Sequence, residues 1–509
     1  MTEILTAAQM RSIEKTAIES GQVSGLELME RAGRGVVEAM LKARPDLGEP
    51  RSGDGAAPAR RAVVLCGPGN NGGDGFVIAR LLKDLGWDVA VFFHGDTQKL
   101  PRDALTNYER WSDIGQVGEM LGEGGATQAD VVIDAVFGTG LTREISEELC
   151  AAMCRRVPEG RPYVVAVDIP SGLSSDSGRV LGRGPLADLT VTFHRAKLGH
   201  YLGQGPELCG TIVVADIGLD ADQPQPERVR LVGAPGPLDK AALGHKFAHG
   251  SALVVSGGTG RSGAARLSAR GALRVGAGLV TLAVPPSAWD EVAVQITALM
   301  MRKVAEAEDL REVLADARFN ALCIGPGLGL QPQHQALVGA ALKSNRPTVL
   351  DADALTLIAN EETLFDALHA GCVLTPHGGE FRRLFKDSEG AFSKVEAARE
   401  AAARAGCVVV FKGGDTVIAS PDGRCALHSA AYERAAPWLA TAGSGDVLAG
   451  FVTGLMARGL DPFEAAKTGV WLHVECARSF GSGLIAEDIP EEIPRLFSRL
   501  IGVESENFA

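Results

Sequence analysis

What most constrains this chain is a unit that recurs along it: a short apolar run, a turn of glycine with aspartate or asparagine, then an amphipathic helix. Residues 61–82 (RAVVLCGPGNNGGDGFVIARLL) show the whole unit. Residues 130–144 (DVVIDAVFGTGLTRE), 164–178 (VVAVDIPSGLSSDSG) and 191–200 (VTFHRAKLGH) supply further strands that end in polar turns. The second half repeats the pattern at residues 245–285, 321–329 (ALCIGPGLG), 348–358 (TVLDADALTLI), 372–384 (CVLTPHGGEFRRL) and 407–419 (CVVVFKGGDTVIA). Runs that are apolar at successive positions must be covered on both faces, and a mostly parallel sheet with helices on both sides does this. The expected class is therefore α/β, with sites at the C-terminal ends of the strands.

A length of 509 residues suits two or three domains. The stretch 219–240 (LDADQPQPERVRLVGAPGPLDK) is proline-rich and polar. It predicts a linker over 221–240 between domains of residues 1–220 and 241–509. Two helices should precede the first strand, because Thr6 with Gln9 and Ser24 with Glu27 form capping-box pairs, with Gly21 as a stop between them. Residues 44–60, rich in Pro, Gly and Ala, read as a surface loop. The start, MTEILTAAQMRSIEK, has neither the basic end nor the apolar core of a targeting signal. No run approaches the roughly 18 apolar residues of a membrane span. Lys plus Arg number 50 against 63 Asp plus Glu, a net charge of −13, which argues against nucleic acid or a membrane surface as partner. Nine cysteines without a C-x-x-C pair suit the reducing cytoplasm rather than disulfides or zinc.

In the first half, Gly67, Gly69 and Gly72 satisfy G-x-G-x-x-G, a weak dinucleotide signature when alone. Asn70, Asn71 and Asp74 bring amides and a carboxyl into the same turn. Asp134, Asp168 and Ser171 stand at or just past other strand ends, with Lys197 further on. Each alone suits an ordinary turn. Together they offer only oxygen donors, which suits a hard monovalent or divalent cation. In the second half, the turns carry Gly327, Asp351, Asp353, His377, Glu380, Lys412 and Asp415. Residues 440–450 (ATAGSGDVLAG) run small residues into Asp446 and an apolar helix. Glycine N–H groups and the helix N-terminus make an anion site there. Asp446 is then placed to take a proton from a hydroxyl, although a plain capped helix start gives the same residues.

These motifs resemble one family. GPGNNGGDG, DAVFGTG and VDIPSG are similar to the NAD(P)HX epimerase domain. HKFAHG, GGTGRSGAARLSARGALRVGAGLV, IGPGLG, DADAL, LTPHGGEF, FKGGDTVI and ATAGSGDVLAG are similar to the ADP-dependent NAD(P)HX dehydratase domain. The resemblance implies a Rossmann-like three-layer domain followed by a ribokinase-like α/β domain. It implies repair of hydrated nicotinamide cofactors: exchange of R- and S-NAD(P)HX, and dehydration of the S form with ADP converted to AMP and phosphate. By the resemblance, Asn70, Asn71, Gly72, Gly73, Asp74, Gly138, Thr139, Gly140, Leu141, Thr142, Arg143, Glu144 and Asp168 serve the epimerase substrate, Asp168 as acid–base catalyst. Asn71, Asp134 and Ser171 would ligate potassium. In the dehydratase, Ala265, Gly327 and His377 would hold NAD(P)HX. Lys412, Gly413, Gly414, Asp415, Thr416, Gly443, Ser444 and Gly445 would hold the nucleotide, with Mg²⁺, and Asp446 would be the base. The implied partners are NADHX, NADPHX and ADP, and the implied assembly is a homo-oligomer.

Two departures stand out. Ala436-Pro437-Trp438-Leu439 replaces the family's usual Gly-Asn…Gly-Met type of lead into ATAGSGD, and His377-Gly378-Gly379-Glu380 replaces His-Pro-Gly-Glu. Two other readings share the motifs. One is a vitamin or sugar kinase of ribokinase-like fold with an N-terminal nucleotide-binding module, and the other a non-enzymatic scaffold role for that module.

Overall fold

The computed structural model describes residues 2–49, 59–122, 128–157, 162–220, 227–240, 245–386 and 392–500. The chain divides into two compact units, residues 3–228 and residues 229 onward, the second with Met1 and Thr2. Residues 50–58 of the expected loop and 221–226 of the expected linker lie outside the described residues.

In the first unit a two-residue strand β1 (Glu3–Ile4) leads into helices Ala7–Glu19 and Gly25–Ala43, and both expected capping boxes are formed. The strands β2 (Arg61–Cys66), β3 (Asp88–Phe93), β4 (Val117–Glu119), β5 (Val131–Ala135), β6 (Tyr163–Val167), β7 (Leu189–Phe193) and β8 (Thr211–Ala215) follow. β2 to β8 form one parallel sheet ordered β4-β3-β2-β5-β6-β7-β8. Alternate residues feed two cores. Val64, Cys66, Ile133 and Ala135 pack with Met10, Ile13, Val36 and Phe76, whereas Val63, Leu65 and Val132 pack with Leu149 and Met153. This is the three-layer arrangement that runs of unbroken apolar residues demand.

The second unit holds β9 (Val229–Leu231), β10 (Ser251–Val255), β11 (Leu279–Val284), β12 (Met300–Lys303), β13 (Ala321–Ile324), β14 (Thr348–Leu350), β15 (Cys372–Leu374), β16 (Val408–Phe411), β17 (Asp415–Ala419) and β18 (Cys425–Ser429). Their order is β9-β18-β17-β16-β15-β14-β13-β10-β11-β12. The pairs from β12 through β16 are parallel. β16, β17 and β18 pair antiparallel, and β9 is parallel to β18. Two features differ from the strand–turn–helix expectation. Lys412-Gly413-Gly414 is the reversal of a hairpin, because paired glycines let the chain turn back on itself. Residues 229–231 of the expected linker are a strand, since Val229 is buried and pairs in register with β18.

Helix Ser444–Ala457 lies in the core, buried from Val447 to Ala457, and packs on helix Ser262–Arg274. The close approach is made at Gly450, where an added Cβ would stand 2.1 Å from the Ser268 carbonyl oxygen. Gly450→Ala should therefore force the helices apart and destabilise the unit by about 2–3 kcal/mol, as overpacking does. Thermal unfolding should show a melting point lower by roughly 4–10 °C, and an unchanged one would mean the helices slide freely.

Candidate active sites

In the first unit a cavity of about 480 Å³ opens at the C-terminal edge of the sheet. Asn70, Asn71, Asp74, the stretch from Gly138 to Arg143, and Asp168 line it, with Arg11 and Glu14 from the first helix. Gly72, Gly73 and Glu144 stand outside that lining. Gly72 is pressed on the Gly67 carbonyl and Gly73 on Met29 and Ala104, so their lack of a side chain serves packing of the turn.

Asp168 lies one residue past β6 at φ 65°, a left-handed conformation that aspartate tolerates better than most residues. Its Oδ1 accepts from Lys197 Nζ at 2.8 Å and from Thr192 Oγ1 at 2.8 Å. Lys197 is fully buried and also donates to Thr192 Oγ1 (2.8 Å) and the Phe193 carbonyl (3.1 Å). His200 accepts the Lys197 amide at Nδ1 and so donates from Nε2 to the Asp168 carbonyl at 2.9 Å. Burial opposes the charge on Asp168, but Lys197 and these hydrogen bonds outweigh it and hold the carboxyl below its ordinary value. The neighbouring acids go the other way. Glu14 is pushed up to about 7, by burial first and then by the Asp168 charge. Burial, then Asp168 and Glu14, push Asp74 well above its ordinary value. One cavity thus holds a carboxyl lowered below its ordinary value beside two raised above theirs, a division suited to acid–base catalysis.

Asp134 and Ser171 are joined beneath this edge. Ser171 Oγ donates to Asp134 Oδ1 at 2.6 Å and the Ser171 amide to Oδ2 at 2.8 Å. Asp134 is fully buried, and burial raises its pKa in spite of those bonds. Asn71 Nδ2 is buried with no hydrogen-bond partner. Among the described residues no cluster of three or more His, Cys, Asp or Glu could hold a metal. Of the Asp134, Ser171 and Asn71 groups only the oxygens could face a cation, because the unpartnered Asn71 Nδ2 is a hydrogen-bond donor and cannot ligate one.

In the second unit Gly443 caps helix Ser444–Ala457 at φ 86°, and Asp446 sits in its first turn. His473 donates from Nε2 to the Ser444 carbonyl at 2.8 Å, and Ser444 Oγ donates to the Leu439 carbonyl at 2.9 Å. Both contacts fix the helix start. Lys412 Nζ donates to Asp351 Oδ1 at 2.8 Å, an oxygen that Thr375 Oγ1 also reaches at 2.7 Å. The ammonium lies against the same helix start, since a Cβ on Gly445 would stand 3.4 Å from Nζ. Burial disfavours the Lys412 charge, but Asp351 and then Glu380 and Asp446 keep it firmly protonated. Asp446 is raised to about 6, by burial first and Asp351 second, with Lys412 pulling the other way.

The other expected residues of this unit fall around that core. Asp415 pairs with Lys394 at 2.5 Å, and Thr416 Oγ1 accepts the Gly413 amide and donates to the Gly413 carbonyl, so both brace the Lys412–Gly414 turn. His377 caps helix Gly378–Leu384 with Nδ1 accepting the Gly379 amide at 2.9 Å, its ring exposed. Gly327, at φ 66°, packs back to back with Gly257. Ala265 is fully buried in the core. A surface cavity of about 400 Å³ lies beside the glycine turn, walled by Pro437, Trp438, Thr441 and Leu484.

Sequence reasoning passed over Glu14, Thr192, His200, Thr375 and His473, and ranked Lys197 low. Glu14 carried a signal: it stands among Met10, Ile13 and Ala17, the buried stripe of its helix. The others are polar residues whose role depends on what the fold brings to them.

The two α/β units each carry a candidate centre, one a carboxylate-lined cavity and the other an aspartate in the first turn of a glycine-capped helix. Residues 25–199 match the family described as YjeF-related protein N-terminus, and residues 252–495 match NAD(P)H-hydrate dehydratase. The chain is 36% identical over 527 aligned residues to the bifunctional NAD(P)H-hydrate repair enzyme of Moorella thermoacetica, covering 98% of this chain and 97% of that one. Over 204 residues it is 48% identical to the NAD(P)H-hydrate epimerase of Rhodobacter capsulatus, covering 39% of this chain and 92% of that one. The crystal structure of an ADP/ATP-dependent NAD(P)H-hydrate dehydratase from Bacillus subtilis aligns with a TM-score of 0.42 at 29% identity, over 52% of this chain and 94% of that one. The chain belongs to the bifunctional NAD(P)H-hydrate repair enzymes. The small-molecule kinase alternative is not favoured, because relatives matching the whole length are repair enzymes.

Proposed function

We propose that the first unit exchanges the R and S epimers of NADHX and NADPHX, and that the second dehydrates the S epimer with ADP as co-substrate. The observation that carries the second half is Asp446, a base raised to about 6 at the head of a glycine-capped helix and beside the Lys412–Asp351 pair. Dehydration needs a better leaving group than hydroxide, and a phosphoryl group supplies it. Asp446 takes the proton of the hydroxyl on the sixth ring carbon as that oxygen attacks the terminal phosphorus of ADP, and AMP leaves. The Gly443 and Gly445 N–H groups and Lys412 balance the charge on the transferred group. The phosphate ester then departs as phosphate, the neighbouring carbon loses a proton, and the reduced nicotinamide ring is restored. Gly413, Gly414, Asp415, Thr416 and Ser444 shape the nucleotide site. Gly327 and His377 face NAD(P)HX, and Ala265 keeps helix Ser262–Arg274 close beneath it.

Asp446, Asp351 and Asp353 repel one another with one lysine among them. A nucleotide therefore suits this place when Mg²⁺ comes with its phosphates, and the ion would offset the carboxylates' charge. In the first unit Asn71, Asp134 and Ser171 would hold potassium, whose charge would steady substrate phosphate or developing oxygen charge nearby. Asn70, Asp74 and the residues from Gly138 to Arg143 then grip the substrate beside Asp168.

The test is recovery of reduced-nicotinamide absorbance from a mixture of R- and S-NADHX, with potassium and magnesium, with and without ADP. Recovery that needs ADP and runs past the S fraction to completion supports both activities. Recovery that stops at the S fraction removes the epimerase, and none with ADP or ATP removes the dehydratase.

A further inference from the structure

Epimer exchange needs an acid as well as a base, and Asp168 is held as an anion by Lys197. Lys197 itself is poorly placed to serve as the acid. Its ammonium has three acceptors, Asp168, Thr192 and the Phe193 carbonyl, for its three hydrogens. It is fully buried and stands outside the cavity lining. Asp74 lines the cavity too, but it is buried, and burial with the neighbouring acids raises its carboxyl well above its ordinary value. Glu14 also lines it, half-buried, from a helix whose position is fixed. The Ala7 amide donates to Asp176 at 2.7 Å, and Leu5 exchanges backbone hydrogen bonds with Ala196 and Leu198 on either side of Lys197.

Resting on the epimerase reading above, we propose that Glu14 is the proton donor of epimer exchange, acting in the same cavity as the Asp168 carboxylate. Glu14 gives its proton to the hydroxyl on the sixth ring carbon. The carbon–oxygen bond breaks with its electron pair leaving on water, and the ring nitrogen's lone pair makes the carbon–nitrogen double bond. Water returns to the opposite face, its oxygen bonds the carbon, and the proton it sheds goes to Asp168. Passage of that proton back to Glu14 through cavity water closes the cycle with no net change.

The groups that set the Glu14 proton are Asp168, which holds it, Lys197 and Arg11, which loosen it, and Asp74 beside them. Arg143 and Asp103 line the same cavity. A group near 7 is half protonated at neutral pH, where a general acid works best. Because the acid must carry its proton, the exchange rate should fall as pH rises through about 7.

The experiment measures R-to-S exchange by the full-length chain, above the uncatalysed rate, across pH. Glu14→Gln keeps the shape and removes the transferable proton. It should lower kcat about 100-fold with KM little changed, and it should erase the alkaline limb near pH 7. Glu14→Asp should restore part of the rate and the limb. Dehydration of S-NADHX by the same variants should stay at the wild-type rate. A Glu14→Gln variant within about threefold of wild type, or one keeping the limb, overturns the proposal. Loss of rate through raised KM alone overturns it too, by making Glu14 a binding residue. No exchange by the wild-type chain would instead sink the epimerase reading.

Discussion

Asp446→Asn should abolish practical dehydration, lowering kcat for S-NADHX with ADP by about 10²–10⁴-fold while epimer exchange continues unchanged. Asparagine keeps the size and hydrogen-bonding shape of the side chain, so the glycine-capped helix start is preserved. What it removes is the acceptor for the hydroxyl proton. Misfolding is a poor alternative explanation here, because Asp446 is a strained charge: burial and the Asp351 and Asp353 carboxylates all raise its pKa. Neutralising it relieves that repulsion, and the melting temperature should hold or rise. The same origin fixes a pH signature. A base must be unprotonated, so wild-type kcat should fall about tenfold per unit below pH 6, where Asp446 takes up its proton. Stopped-time assays of S-NADHX across that range check this. A variant that still dehydrates within tenfold of wild type would show that another group accepts the proton.

How much of this was legible beforehand follows from which forces are local. Unbroken apolar runs such as VVIDA and VVAV had to be two-sided parallel strands, and β5 and β6 are. The capping boxes at Thr6 and Ser24 needed only residues three apart. Gly443 and Asp446 could be placed because a glycine turn and helix start are set by adjacent residues. The hairpin at Gly413–Gly414 was less legible, because a strand end looks alike whether a helix or an antiparallel strand follows. β9 was concealed by proline-rich surroundings, and only β18 alongside makes Val229–Leu231 a strand. The pairing of Asp168 with Lys197, 29 residues apart, depends on a loop that carries Lys197 back beneath β7. Glu14 reaches the cavity only because its helix is tied to that same loop. Long-range placement of this kind leaves a trace in the sequence only where a polar residue interrupts an apolar stripe.

Asp168→Asn should stop epimer exchange, lowering its rate by at least about 100-fold, with ADP-dependent dehydration of pure S-NADHX at the wild-type rate. The choice of asparagine matters for two reasons. At φ 65° a β-carbon is strained, and asparagine is among the few residues that accept this conformation at small cost. Alanine would also leave the fully buried Lys197 ammonium facing an empty site, and losing one partner of a buried pair costs about 3–5 kcal/mol. A dead alanine variant would therefore report damage as readily as chemistry. The asparagine amide oxygen can still accept from Lys197 Nζ and Thr192 Oγ1, which both donate to Oδ1 in the wild type. The negative charge opposite Lys197 is lost but both hydrogen bonds remain, so the cost in stability is smaller than alanine's. With that charge goes the main electrostatic push on Glu14 after burial, so the Glu14 pKa should fall from about 7 as well. Mixed R- and S-NADHX with ADP should then give a fast recovery of absorbance equal to the S fraction, followed by a phase no faster than spontaneous exchange. Recovery in a single fast phase would mean that the ionised carboxylate at the end of β6 takes no part in moving the proton.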